Sequence, residues 1–337
     1  MDFPSGTPSR AVVDGLRGWL AASAEPEPLV IETSGSTGAP KRVVLSRRAV
    51  LASVTATEHR LGGSGRWVLA LPPTYVAGIQ VICRSLVAGH EPVVLDSYES
   101  LAFSLEPGWF LSLVPTQLHR LLGDPESVAA LQGAHTILLG GGPIDAAVRR
   151  RAAEEGLRVV ATYGSAETAG GCVYDGYPLE GVDVAVETDG RIRISGPVLF
   201  SGYDGDPELT SQVLVDGWFL TSDAGRIDGD GRVHVLGRVD DVVVSGGVNV
   251  PLPAVAARLR AHPDMVAAEV VGVPDLEWGH RVVAFVVTTR EASLDEVRDW
   301  VAQTHPRAWA PREVVVVDEL PMLDNGKVDR MALRELA

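Results

Sequence analysis

At 337 residues the chain exceeds what one ordinary hydrophobic core takes up, so two domains are expected. Its 29 basic and 44 acidic residues leave a net charge of −15, which disfavours non-specific binding to nucleic acid or to an anionic membrane surface. No apolar run approaches the roughly 18 residues of a membrane span, and Met1–Gly6 lacks the basic and apolar regions of a signal peptide, so a cytoplasmic protein is expected.

In chain order, the apolar run Leu29–Ile31 reads as a strand leading into Thr33-Ser34-Gly35-Ser36-Thr37-Gly38-Ala39-Pro40-Lys41. Hydroxyls, glycines and a lysine crowded together suit a polyphosphate, because the glycines bring backbone N–H groups close to anionic oxygens and the side chains add donors and charge. The segment is not the common NTPase loop, since Pro40 stands where that loop has a glycine before its lysine. Trp67–Leu71 reads as a second strand ending at Pro72-Pro73, and the stretch around Gln80 to Val87 as a helix. Thr136–Leu139 is a further strand that stops at Gly140-Gly141-Gly142, and Ala146–Leu157 is helical. This alternation predicts an α/β domain with ligand loops at strand ends. The two cysteines, Cys83 and Cys172, have neither metal spacing nor a disulfide framework and read as small buried residues. From Val182 the texture turns to β. Val182–Val186, Arg191–Ile194 and Val233–Leu236 are short strands separated by Asp-Gly turns. After Asp240 comes a compact α+β tail with strands at Val266–Val273, Arg281–Thr288 and Glu313–Val317 and a helix near Ser293–Thr304. The expected architecture is a large N-terminal α/β domain with a small β subdomain, residues 1–239, followed by a small mobile α+β C-terminal domain, residues 240–337.

Four further motifs follow the phosphate loop in fixed order: Tyr163-Gly164-Ser165-Ala166-Glu167-Thr168, Trp218–Asp223, Gly237-Arg238-Val239-Asp240-Asp241 and Pro321-x4-Gly326-Lys327-x2-Arg330. Together the five resemble the acyl-adenylate-forming superfamily of acyl-CoA synthetases, peptide-synthetase adenylation domains and luciferases, over residues from about 30 to the C-terminus. The resemblance implies ATP, Mg²⁺ and CoA as cofactor and co-substrates. Thr33, Ser34, Gly35, Ser36, Thr37, Gly38 and Lys41 would meet the phosphates, Gly140, Gly141 and Gly142 would lie along adenine, and Tyr163 would stack on it beside Gly164. Asp223 and Arg238 would hold the ribose and Glu167 the metal. Lys327 would be the catalytic cation bridging acid and α-phosphate. The C-terminal domain would then swing on Asp240 and open a pantetheine tunnel lined by Ser245, Gly246 and Gly247. Two positions depart from the pattern. Ala166 replaces a hydroxyl residue, leaving Thr162 or Thr168 as stand-ins, and Ala254 in the tail replaces a glutamate that often opens the next helix.

The acid is read from the pocket segments. Arg84 sits on an otherwise apolar helix expected to border the acyl site next to Tyr75, and an acid with a second carboxylate would partner it. With Ser112–Gln117 and Ala169–Gly176, this resembles the short-form 2-succinylbenzoate–CoA ligases of menaquinone biosynthesis. Only 32 residues precede the loop, so the N-terminal subdomain of longer relatives is expected to be largely absent and a homodimer to cover the exposed surface. Two other readings stay open: a ligase or carrier-protein adenylation enzyme for another aryl acid, and a non-catalytic nucleotide-binding regulator.

Overall fold

The computed structural model describes residues 1–33, 41–95, 106, 108–142, 144–290, 292–321 and 328–337, apart from the side chain of Asp240. The chain divides into two compact units, one of residues 1–185, 193–221 and 228–233, the other of residues 186–192, 222–227 and 234–337. The α/β architecture expected from the sequence is present.

The first unit is built on a seven-stranded sheet in the order Val93–Val94, Trp67–Leu69, Trp109–Leu113, Ala134–Leu139, Val159–Ser165, Gly170–Tyr174, Tyr177–Pro178. The first five strands are parallel and the last two antiparallel. Buried residues such as Leu111, Leu113, Ile137 and Leu139 pack against Leu118, Leu121 and Leu131 of the connecting helices. The near-continuous apolar runs of these strands have this cause, since a parallel sheet is covered on both faces. The helix Val76–Val87 is buried from Gly78 to Ser85, and it carries Arg84 inside with it. Strands Leu29–Thr33 and Lys41–Leu45 pair antiparallel with Thr33 opposite Lys41, and Gly202–Tyr203 adds a third strand.

The second unit has a sheet in the order Val248–Pro251, Val242–Ser245, Gly279–Thr288, Met265–Asp275, with Glu313–Val316 parallel to Gly279–Thr288. Side chains alternate across it as strand geometry requires. Val270, Val282, Ala284 and Val286 pack with helices Leu252–Arg260 and Leu294–Ala302, whereas Val271, Val283 and Phe285 meet Leu333 of the terminal helix Arg330–Glu335. The weak helix start expected at Ala254 is relieved by Pro253, which stands in the first turn, where its missing N–H costs nothing. Among the described residues no helix is long and apolar enough to cross a membrane.

Candidate active site

The carboxyl ends of the parallel strands in the first unit open onto a cavity of about 240 Å³. That is where an open α/β sheet leaves room for ligands. Its walls include Tyr75, Gln80, Arg84, Gly140, Gly164 and Tyr174. The glycines are there for close approach. A Cβ on Gly140 would strike the hydroxyl of Thr162, and one on Gly164 would strike the carbonyl of Gly170.

Arg84 is the buried cation of this lining. It is 6% exposed, and its Nη2 donates to the hydroxyl of Tyr174 at 3.4 Å. That hydroxyl is also 3.0 Å from the Thr57 hydroxyl. The guanidinium lies 5.0 Å from the centre of the Trp67 ring, an attractive placement over a π face. Its Nε is buried without a hydrogen-bond partner, as is Oε1 of the neighbouring Gln80, whose Nε2 donates to the Ala169 carbonyl at 2.7 Å. Among the described residues no carboxylate is within ion-pair distance of Arg84. A buried cation with an unused donor on a cavity wall is poised for an anionic ligand. Tyr75, 48% exposed, also lines the cavity. Cys83, beside Arg84, is fully buried, and burial pushes its thiol up to about 12 against the opposing pull of Arg84. Cys172 is likewise pushed up to about 12 by burial, so neither thiol is a nucleophile near neutral pH.

The phosphate-loop and metal motifs converge in the same unit. Nζ of Lys41 lies 5.4 Å from the centre of the Tyr203 ring, and the Tyr203 hydroxyl donates to Oε1 of Glu167 at 2.8 Å. The other oxygen of Glu167 takes no hydrogen bond or ion pair from the described residues. Ser34, Gly35, Ser36, Thr37 and Gly38 lie outside the described residues, as does Lys327; Thr33 and Lys41 stand side by side. Of the two stand-ins for the hydroxyl missing at Ala166, Thr168 is committed to its own turn, accepting from the Ser165 N–H at 2.9 Å and donating to the Gly170 carbonyl at 2.7 Å. Thr162 is the one that lines the cavity. Gly141 lines it as well, whereas Gly142 is exposed and Tyr163, between Thr162 and Gly164 on the strand, does not line it.

In the second unit, Asp223 on strand Trp218–Ile227 and Arg238 at the end of the paired strand Val233–Arg238 form an ion pair at 3.7 Å. Asp240 falls in the single turn Val239–Asp241 that follows. Gly246 and Gly247 are the two-residue loop between paired strands, with φ of +58° and +77°, a hairpin turn that favours glycine whatever else the residues do. Tyr203 and Trp67 carry no motif signal, and Gln80 and Tyr174 fall in the pocket segments without a role of their own. Tyr203 reaches Glu167 only because its strand pairs with Lys41–Leu45, a contact that leaves no periodicity in the sequence.

Residues 27–204 match the family described as AMP-binding enzyme, and residues 254–327 match the AMP-binding enzyme C-terminal domain. A probable 2-succinylbenzoate–CoA ligase of Mycobacterium tuberculosis (strain H37Rv) is 42% identical over 319 residues, covering 90% of this chain and 83% of the relative. A feruloyl-CoA synthase of Amycolatopsis is 31% identical over 338 residues, 89% of this chain and 68% of that protein. Among solved structures, o-succinylbenzoate CoA synthetase from Bacillus subtilis in complex with its acyl-adenylate intermediate superposes with a TM-score of 0.75 at 27% identity, covering 91% of this chain and 68% of that one. The ordered motifs, the cavity at the strand ends and these matches agree, and the chain belongs to the AMP-binding enzyme family.

Proposed function

We propose that this chain is an ATP-dependent acid–CoA ligase that activates 2-succinylbenzoate as an acyl adenylate and passes the acyl group to CoA with release of AMP. The observation that carries the choice of acid is Arg84, a buried guanidinium on the cavity wall with an unused Nε and no carboxylate partner among the described residues. A dicarboxylic aromatic keto acid supplies the missing charge. Its benzoate carboxylate meets Arg84, and the succinyl carboxylate is left to react. Relatives named for this reaction support the reading, while the feruloyl-CoA synthase relative supports the alternative of another aryl acid.

In the first step the acid carboxylate attacks the α-phosphate of ATP and pyrophosphate leaves. Two anions meet, so fixed positive charge lowers the barrier. Lys41 holds the departing phosphates, Asp223 and Arg238 hold the ribose, and Lys327 bridges acid and α-phosphate. Mg²⁺ neutralises phosphate charge when bound. Glu167 fits that ion, with one oxygen oriented by Tyr203 and the other unengaged among the described residues, because Mg²⁺ is usually held by one or two carboxylates together with substrate phosphates and water. In the second step the chain from Asp240 onward turns, Lys327 withdraws, and the thiol of CoA approaches past Gly246 and Gly247 to attack the adenylate carbonyl.

Acid-dependent exchange of pyrophosphate into ATP tests the first step. Exchange with 2-succinylbenzoate well above that with ferulate or benzoate supports the reading; preference for a monocarboxylate moves the chain to the other aryl-acid ligases. Absence of exchange with every acid identifies a nucleotide-binding regulator instead.

A further inference from the structure

The tail motif ends on Arg330, for which nucleotide chemistry supplies no task. In the second unit this residue opens the terminal helix Arg330–Glu335, whose N-cap Asp329 accepts hydrogen bonds from the N–H groups of Met331 and Ala332, both at 3.0 Å. Its guanidinium is divided between two carboxylates. Nη1 donates to Oδ1 of Asp241 at 2.7 Å, while Nε and Nη2 reach Oε1 of Glu269 at 3.1 and 3.0 Å. Glu269 is 6% exposed in the strand Met265–Asp275, and its other oxygen lies 3.7 Å from Nη1 of Arg260. Asp329 also donates its N–H to the carbonyl of Pro321 at 2.8 Å, which joins the chain on either side of the lysine-bearing segment.

An exposed ion pair holds little, but a guanidinium that satisfies a buried carboxylate holds more, and without Arg330 Glu269 keeps only the longer contact to Arg260. The planar fork of arginine serves Asp241 and Glu269 at once, which the point charge of lysine cannot. Asp241 is the residue immediately after Asp240, so Arg330 joins the Gly-Arg-Val-Asp-Asp motif to the tail motif across 89 positions of sequence.

We propose that Arg330 is a positioning residue that clamps Asp241 to the strand Met265–Asp275 and the terminal helix, so that the chain beyond Asp240 turns as one body. This rests on the two-step reading given above. With the clamp loosened, rotation at Asp240 is shared with flexing just after it, and the groups carried by the tail arrive poorly placed for both steps.

Single-turnover rates of adenylation and of thioester formation, with KM for ATP and Tm, are measured for wild type, Asp241→Asn, Arg330→Lys and the double variant. Asp241→Asn leaves the Arg330–Glu269 pair intact, and Arg330→Lys keeps a cation beside Glu269, so the fold is retained. Each single change lowers both rates about tenfold with KM for ATP near the wild-type value, and the double variant is no worse than the poorer single one, as residues of one linkage behave. Folded variants whose rates stay within about twofold of wild type, or a double variant in which the two losses multiply, overturn the clamp. If Arg330→Lys does not fold, Asp241→Asn alone decides by the same rates. Wild type that forms no adenylate from any acid removes the two-step reading; wild type competent in both steps, with variants equal to it, removes only the clamp.

Discussion

Arg84 is a buried cation lining the cavity. Its burial, its contacts with Tyr174 and Trp67 and its idle Nε describe a cation held by aromatic walls and not neutralised by any carboxylate among the described residues. If Arg84 pairs with a ligand carboxylate as proposed, Arg84→Ala lowers kcat/KM for the dicarboxylic acid by about 2–5 kcal/mol while KM for ATP changes little. Arg84→Lys recovers part of the loss, because an ammonium does not reproduce a planar two-pronged contact. A monocarboxylic analogue is nearly indifferent to both changes; an equal loss with that analogue makes Arg84 a structural residue. The neighbouring thiols give a second test. Since burial raises Cys83 and Cys172 from the ordinary value of 9.0 to about 12, native protein at pH 8 leaves both unreactive towards a disulfide reagent and denatured protein exposes two. Their contribution to stability is full below pH 9 and is lost as pH rises towards 12, because the unfolded chain releases those protons first. Rapid native labelling at pH 8 contradicts the burial.

At the scale of elements, the strands forming the cavity come so close that glycine is structural before it is functional. Gly164→Ala drives a methyl group into the Gly170 carbonyl, and the backbone must move. The expected cost is about 1–3 kcal/mol of stability, read as a lower Tm, together with a fall in kcat/KM for the acid. An unchanged Tm contradicts the packing. The sequence is legible here where an element is decided locally. Apolar runs locate the strands at Arg281–Thr288 and Val266–Val273, and the glycine triplet marks the end of Ala134–Leu139. It is not legible where pairing decides: Gly170–Tyr174 begins with two glycines and carries no strand signal, yet it is a strand because Val159–Ser165 binds it edge to edge. Gly246 and Gly247 suit ligand passage, and their positive φ gives the turn an independent claim on them. The role of Tyr203 leaves no trace in the sequence at all, because only tertiary pairing brings it to Glu167 and Lys41.

At the scale of the molecule, the two half-reactions make different demands. If Lys327 bridges acid and α-phosphate as proposed, Lys327→Ala lowers adenylation by orders of magnitude while thioester formation from preformed acyl adenylate is largely retained. Asp240→Pro fixes φ at the proposed pivot, and the proposal gives it the opposite bias, sparing adenylation more than thioester formation. Equal losses in both steps for either variant contradict the division of labour. Joining of a dicarboxylic aromatic acid to CoA through an adenylate is read by incubating wild type with 2-succinylbenzoate, ATP, Mg²⁺ and CoA and following thioester and AMP together. The expected products are equimolar 2-succinylbenzoyl-CoA and AMP, dependent on all four components and formed far faster than with a monocarboxylic aryl acid. Absence of the thioester, or faster turnover of the monocarboxylic acid, would contradict the proposed function.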